Sequence, residues 1–386
     1  ADFWRVRAAR AEGALALMAA GVAERKGARA AGGPPMSRSA AQVARLPLID
    51  ALKAIASQLI VLHHLAFYGL MSDAAAPLAP ALFGWLTEHA RVAVQVFLVI
   101  GGFLTARSLA GTDAAQATPA RMLAAFARRY RRLALPFIAA IGIAIVGAAI
   151  ARAWMQHDSV PAAPNLGQLL AHALLLHDLL GQEALSAGVW YVAIDLQLFG
   201  TMLLAIWLGQ RLGAPWLPVL ALALASLFVF NRDARWDVAA PYFFGAYALG
   251  AFAWQARDRA RIPVAAILLF AATLAAVALD FRVRIAVALA VAIGLAAASR
   301  WGMLSRWPHA RPIAFLGNIS YSVFLVHFPV CLVVNAAFAR FVGADPFANL
   351  AGIALAWAAS IAAGAYFHRR IETRFGGAAA PEARAR

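Results

Sequence analysis

The sequence predicts an all-α, polytopic integral membrane helical bundle of about ten transmembrane helices, and three observations carry that expectation. Hydrophobic residues make up 63% of the 386 and charged residues only 13%, with a mean hydropathy of +0.72; soluble domains do not have this composition. Apolar runs of about 20 residues, the length that crosses a bilayer core as a helix, recur from residue 48 to residue 368. Arginine and lysine gather in alternate connections between those runs, the pattern of a multi-pass protein whose basic loops stay on the inner side.

The elements follow in order. Residues 1–46 form a basic segment rich in Ala and Arg, whose apolar part, "ALALMAAGVA", is too short to span. It reads either as sequence upstream of a true start at Met36 or as an amphipathic or disordered inner arm. The transmembrane domain is expected over 47–374, with spans near 48–70, 91–110, 133–154, 188–209, 215–231, 240–256, 262–280, 282–299, 313–339 and 346–368. A tail, 375–386, follows. Between the third and fourth spans, residues 165–185 carry a repeat that fits an amphipathic helix lying on the membrane.

With the N-terminus inside, the inner segments hold Arg25, Lys26, Arg29, Arg38 and Arg45, then Arg107 to Arg132, Arg211, Arg257, Arg259, Arg261, Arg300, Arg306, Arg311, Arg369, Arg370 and Arg374. The outer connections 71–90 and 155–187 contain neither Lys nor Arg. Both termini are therefore expected in the cytoplasm. This distribution accounts for the formal net charge of +16 and pI near 11.3 without a nucleic-acid partner. The single cysteine, Cys331, rules out an internal disulfide framework and a multi-cysteine metal site. No metal is expected: His157, Asp158, His172, His177 and Asp178 match no ligand spacing and read as a solvated loop.

The first span, "LPLIDALKAIASQLIVLHHLAFYGL", places polar groups where they are costly. A titratable group in hydrocarbon costs roughly 2.5 to 3.5 kcal/mol and usually faces a cavity or a partner. Lys53 and His64 are about 16 Å apart along a helix axis and point in nearly the same direction, with Ser57 between them, while His63 points about a quarter turn away. This stripe reads as a polar path into the membrane. The alternative is an interfacial Asp50–Lys53 pair and a packed His64.

Further polar groups lie on other helices. "FARRYRRLALPF" brings Arg128, Arg129, Arg131 and Arg132 to the inner surface, where guanidinium forks suit phosphate oxygens or simply set topology. "GVWYVAIDLQLF" contains Trp190 and buries Asp195, which could orient an imidazole or pair with an arginine. "LGNISYSVFLVHFPV" holds Ser320 and Tyr321 in its inner half. His327 lies about 21 Å from the inner end of this span, and His64 about 24 Å from the inner end of the first, so the two imidazoles reach similar depth.

Together these blocks resemble the membrane-bound acyltransferase 3 family of bacterial carbohydrate O-acyltransferases. "LIDALKAIASQLIVLHH" is similar to the family's opening motif, "VAVQVFLVIGGFLTA" to its second-helix motif, "RRYRRLALPF" to its arginine motif and "LGNISYSVFLVHFPV" to its late Ser-Tyr and His motif. "WYVAIDLQLF" matches more loosely. The second motif departs from the family's Ser-Gly-Phe ending, reading Gly101, Gly102, Phe103.

The resemblance implies transfer of an acyl group, most often acetyl, from acyl-coenzyme A as co-substrate to a hydroxyl of a glycan or lipid-linked saccharide in the bacterial cytoplasmic membrane. It implies that His64 is the essential histidine, that Lys53 fills the Arg/Lys position, and that Arg129 and Arg132 fill the paired-arginine positions, with Arg128 and Arg131 as the other register. Neutral imidazole can take the acceptor proton near pH 7, with Asp195 as an orienting acid. The outer loop 155–187 is the expected acceptor contact. The competing reading is a polysaccharide or lipid-linked sugar transporter, which also uses intramembrane His, Lys and Asp.

Overall fold

The computed structural model describes residues 46–110, 118–258, 262–306 and 308–375, and these are helical with no strand. The basic segment up to Arg45, Arg259, Arg261 and nearly all of the 375–386 tail lie outside the described residues. Thirteen α-helices are named here in chain order. The first five are α1 Pro47–Phe67, α2 Leu70–Ala75, α3 Pro80–Glu88, α4 Val94–Leu109 and α5 Pro119–Trp154. They are followed by α6 Leu166–Ala173, α7 Trp190–Arg211, α8 Leu217–Phe228 and α9 Ala240–Gln255. The last four are α10 Val264–Leu279, α11 Val283–Arg300, α12 Arg311–Phe341 and α13 Pro346–Phe367.

Each of the ten apolar runs folds as a helix, and seven helical stretches are long and apolar enough to cross a membrane. The other three runs give α8, α9 and α10, of 12, 16 and 16 residues. At about 1.5 Å per residue these are shorter than a hydrocarbon core of about 30 Å. The largest departure from the expected boundaries is α5, which begins fourteen residues before the anticipated 133. Thr118 caps it by accepting the Arg121 N–H, and Pro119 occupies the first turn, where its missing N–H costs nothing. Arg128 to Arg132 are thus part of the same continuous helix as the apolar run that follows them.

Two helices organise the bundle. α9 packs against α4, α7, α8, α10 and α11, and α12 packs against α1, α5 and α13. In the α4–α9 contact the backbones meet directly: a methyl at Gly102 would collide with the Tyr247 carbonyl, and one at Gly250 with the Val99 carbonyl. Lipid tails give helices no hydrophobic reason to associate, so close packing through small residues supplies the attraction. At the α1–α12 contact Gly317 faces the Asp50 backbone. This sets the register of the two helices and therefore which histidines meet farther along.

Candidate active site

His64 and His327 meet in the interior between α1 and α12. His64 Nδ1 lies 2.6 Å from His327 Nε2, and the rings are nearly parallel, with centroids 4.9 Å apart. Both residues are buried, His327 fully. His327 Nδ1 stands 2.8 Å from the Phe324 carbonyl oxygen and 3.1 Å from that of Val323. Carbonyls only accept, so His327 carries its hydrogen on Nδ1. With both rings neutral, His327 Nε2 must accept from His64 Nδ1–H, which leaves the lone pair of His64 on Nε2. That atom makes no hydrogen bond among the described residues and is not among the sealed polar atoms that lack a partner. The depth match expected from the sequence is thus a direct contact, and it fixes the tautomer and orientation of His64.

Gly188, just before α7, closes one side of this imidazole. Its φ is +80°, and a methyl there would lie 3.3 Å from His64 Cε1 and 3.4 Å from the Phe324 ring. His63 faces away from its neighbour as expected, with its Nδ1 2.9 Å from the Leu86 carbonyl of α3.

A second polar centre joins α5 and α7. Arg129 Nη2 donates to both oxygens of Asp195, at 2.8 and 2.6 Å, and Nε donates to Oδ2 at 3.2 Å. The Asp195 side chain is 7% exposed and that of Arg129 24%; the guanidinium also lies over the Phe199 ring, 5.4 Å from its centroid. Of the two roles open to Asp195 in the sequence, the arginine pair is the one formed, and the group that orients His64 is His327. Tyr191, Tyr247 and Tyr321 lie within electrostatic reach of both charges. The Tyr247 hydroxyl shares a 2.6 Å hydrogen bond with Thr105. Gly101, where the family pattern has Ser, borders this centre: a methyl there would be 3.0 Å from the Tyr247 ring and 3.5 Å from Asp195 Oδ1.

Lys53 Nζ is 3.1 Å from Asp50 Oδ1, with both side chains partly exposed. Ser57 and Ser320 donate to the carbonyls of Ala54 and Gly317 on their own helices, both at 2.9 Å. Tyr321 donates to the Leu133 carbonyl at 3.0 Å, joining α12 to α5. Trp190 stacks on Phe243. Arg128, Arg131 and Arg132 are exposed, and their side chains make no hydrogen bond or ion pair among the described residues.

Between α5 and α7 the structure corrects an expectation. Only Leu166–Ala173 is helical there, and His172 and His177 are fully buried rather than part of a solvated loop. Their rings stack at 4.2 Å between centroids and lie against Phe137, partway along α5. The physical reason is the folding back of the chain: His172 Nε2 accepts the Leu185 N–H at 3.2 Å, and Gln168 donates to the Glu183 carbonyl at 2.7 Å. Burial pushes His177 down to about 4, aided by neighbouring His172. Asp178 is pushed up to about 6 by burial and by the Asp237 charge.

Sequence reasoning missed several groups. Glu372 accepts from Ser322 at 2.5 Å and contacts His368 Nδ1 at 3.0 Å, while His368 Nε2 is 2.9 Å from Asn318 Nδ2. Glu372 is the one acid in the basic run "HRRIETR", a usable signal. Tyr247 sits in an apolar run that carries no motif, and Thr105 lies in the second-helix block, where hydropathy alone does not single it out.

The fold and this interior define a polytopic membrane protein that isolates titratable side chains in its core. Residues 46–369 match the family model for the acyltransferase domain of the acyltransferase 3 family, and the chain belongs to that family: it is a membrane acyltransferase. No curated protein and no solved structure matches it.

Proposed function

We propose that the protein transfers an acyl group, most simply acetyl, from acyl-coenzyme A to a carbohydrate hydroxyl, with His64 as the general base. The observation that carries this reading is the His64–His327 contact. It holds His64 Nδ1 as a donor and leaves Nε2 with a lone pair and no internal partner. A base oriented by a second group that is itself anchored is a recurrent arrangement for activating a hydroxyl nucleophile.

In the proposed reaction His64 Nε2 takes the proton of the acceptor hydroxyl as its oxygen attacks the thioester carbonyl carbon. The tetrahedral intermediate then collapses, the C–S bond breaks, and the departing thiolate takes the proton back from His64. His64 finishes as it began. The positive charge that develops on its ring in between is shared with His327 through the Nδ1–H bond, and His327 passes the polarisation to the Phe324 and Val323 carbonyls.

The donor enters from the end of the bundle that carries Arg128 to Arg132, which the positive-inside pattern assigns to the cytoplasm of a bacterial cell, as it does both termini. Arg132, Arg128 and Arg131 have donors open to nucleotide phosphates. Arg129 is already held by Asp195 and acts inside the protein, where the pair and its three tyrosines line the route of the pantetheine arm. Lys53 lies on the same route, about 1.7 turns along α1 from its start at Pro47. The acceptor is a glycan or lipid-linked saccharide. The test is mass-spectrometric detection of acylated product after incubation of purified protein with acetyl- and succinyl-coenzyme A and a panel of glycans. A well-folded preparation that cleaves no thioester with any acceptor would count against the donor assigned here.

A further inference from the structure

The last turn of the described chain is built differently from the helix it continues. After α13, residues His368–Glu372 wind as a π-helix before the final short turn Thr373–Phe375. Such wide turns cluster at functional sites because they re-aim side chains that a regular helix would place elsewhere. Here the turn is fastened to α12 by the chain of contacts Asn318, His368, Glu372, Ser322, with separations of 2.9, 3.0 and 2.5 Å. Ser322 is fully buried, so Glu372 is drawn inward and its charge is engaged by the two groups that flank it.

The turn also packs against α5. Tyr321 shows at which point this occurs: it donates to the carbonyl of Leu133, next to Arg132, at 3.0 Å, while its neighbour Ser322 donates to Glu372 at 2.5 Å. The π turn therefore lies beside the arginine stretch of α5. Arg369 and Arg374 on the turn, and Arg132 on α5, are exposed and make no side-chain hydrogen bond or ion pair among the described residues. Arg370 differs, lying over the Tyr366 ring at 5.7 Å. Several unpaired guanidinium groups from two elements, with the local acid turned inward, suit an anion carrying more than one phosphate.

We propose that the turn His368–Phe375 is the second half of a phosphate cradle, in which Arg369 and Arg374 join Arg132 in holding the phosphates of the coenzyme A nucleotide. This rests on the reading of acyl-coenzyme A as donor. Glu372 is a positioning residue that fixes the turn through Ser322 and His368.

The experiment titrates full-length protein, in an uncharged detergent without anionic lipid, with coenzyme A and separately with dephospho-coenzyme A. The double variant Arg369→Ala/Arg374→Ala changes only exposed side chains, so folding is preserved. It is expected to bind coenzyme A about tenfold or more weakly, the scale of losing charge-assisted hydrogen bonds, and to lose much of the wild type's dependence on ionic strength. Glu372→Gln should weaken binding in the same direction through the turn. Wild-type affinity in the double variant, with wild-type protein binding coenzyme A normally, overturns the cradle and leaves the donor assignment standing. The same result accompanied by loss of binding to phosphatidylglycerol vesicles would assign the arginines to lipid headgroups instead. A folded wild type that binds no coenzyme A overturns both this inference and the donor assignment.

Discussion

His64 Nδ1 and His327 Nε2 stand 2.6 Å apart, and the second ring is tied through its own Nδ1 to two backbone carbonyls. In the proposed reaction this makes His64 a base whose reactive nitrogen is chosen by the backbone of another helix. His327→Gln is expected to lower kcat about 10- to 100-fold with little change in donor KM, because orientation is lost and the base is kept. His64→Ala is expected to lose about 10²- to 10⁴-fold, the usual contribution of a general base. Steady-state kinetics on the two variants separates the roles: an equal loss in both, or a large KM change in His327→Gln, would contradict them.

The Arg129–Asp195 pair gives a prediction of opposite kind. Removing one member leaves the other charged and desolvated, a loss of about 3 to 5 kcal/mol for a buried pair. Asp195→Asn and Arg129→Met should each lower the thermal stability of the detergent-solubilised protein strongly. The double variant should recover much of it. A double-mutant cycle checks this, and additive losses would show that the two side chains are not energetically coupled.

Gly188 sits against the His64 imidazole with φ at +80°. Gly188→Ala adds backbone strain of roughly 1 kcal/mol and a methyl in contact with His64 Cε1. Activity should fall more than stability does. Thermal shift and turnover measured on one preparation decide it, and an active, stable Gly188→Ala would mean that the His64 imidazole has room to spare.

Asp178, outside the spanning helices, is pushed up to about 6 from its ordinary value of 3.8. A carboxyl with a raised folded pKa costs the native state nothing below its unfolded pKa, and the cost is fully present above the folded one. Asp178→Asn should therefore raise the melting temperature by a few degrees near pH 7.5, and the gain should vanish below about pH 4. A gain of equal size at both ends of this range would place its origin elsewhere than in the carboxylate charge.

The legibility of these features differs for physical reasons. The apolar runs fix which residues form helices, and counting residues along two of them places His64 and His327 at similar depth. Contact between them depends on the relative rotation and axial register of α1 and α12, set at Gly317, and no periodicity within one helix contains that. Rotation likewise decided between the two roles for Asp195. The start of α5 at Pro119 was hidden because the arginine stretch reads as a loop by hydropathy while its residues are good helix formers. Between α5 and α7, His172 and His177 look solvated by composition. Their burial comes from side chain to backbone bonds across a fold-back, which sequence spacing does not encode. Glu372 is read as part of a basic tail until Ser322 is seen opposite it.

The central claim is that His64 acts in the chemical step and not in donor binding. Its most direct test compares wild type and His64→Ala for acetyl-coenzyme A affinity and for acceptor-dependent thioester cleavage in the same detergent preparation. Equal affinity in the two proteins, with cleavage only in the wild type, is the predicted result. Cleavage by His64→Ala at the wild-type rate would contradict it.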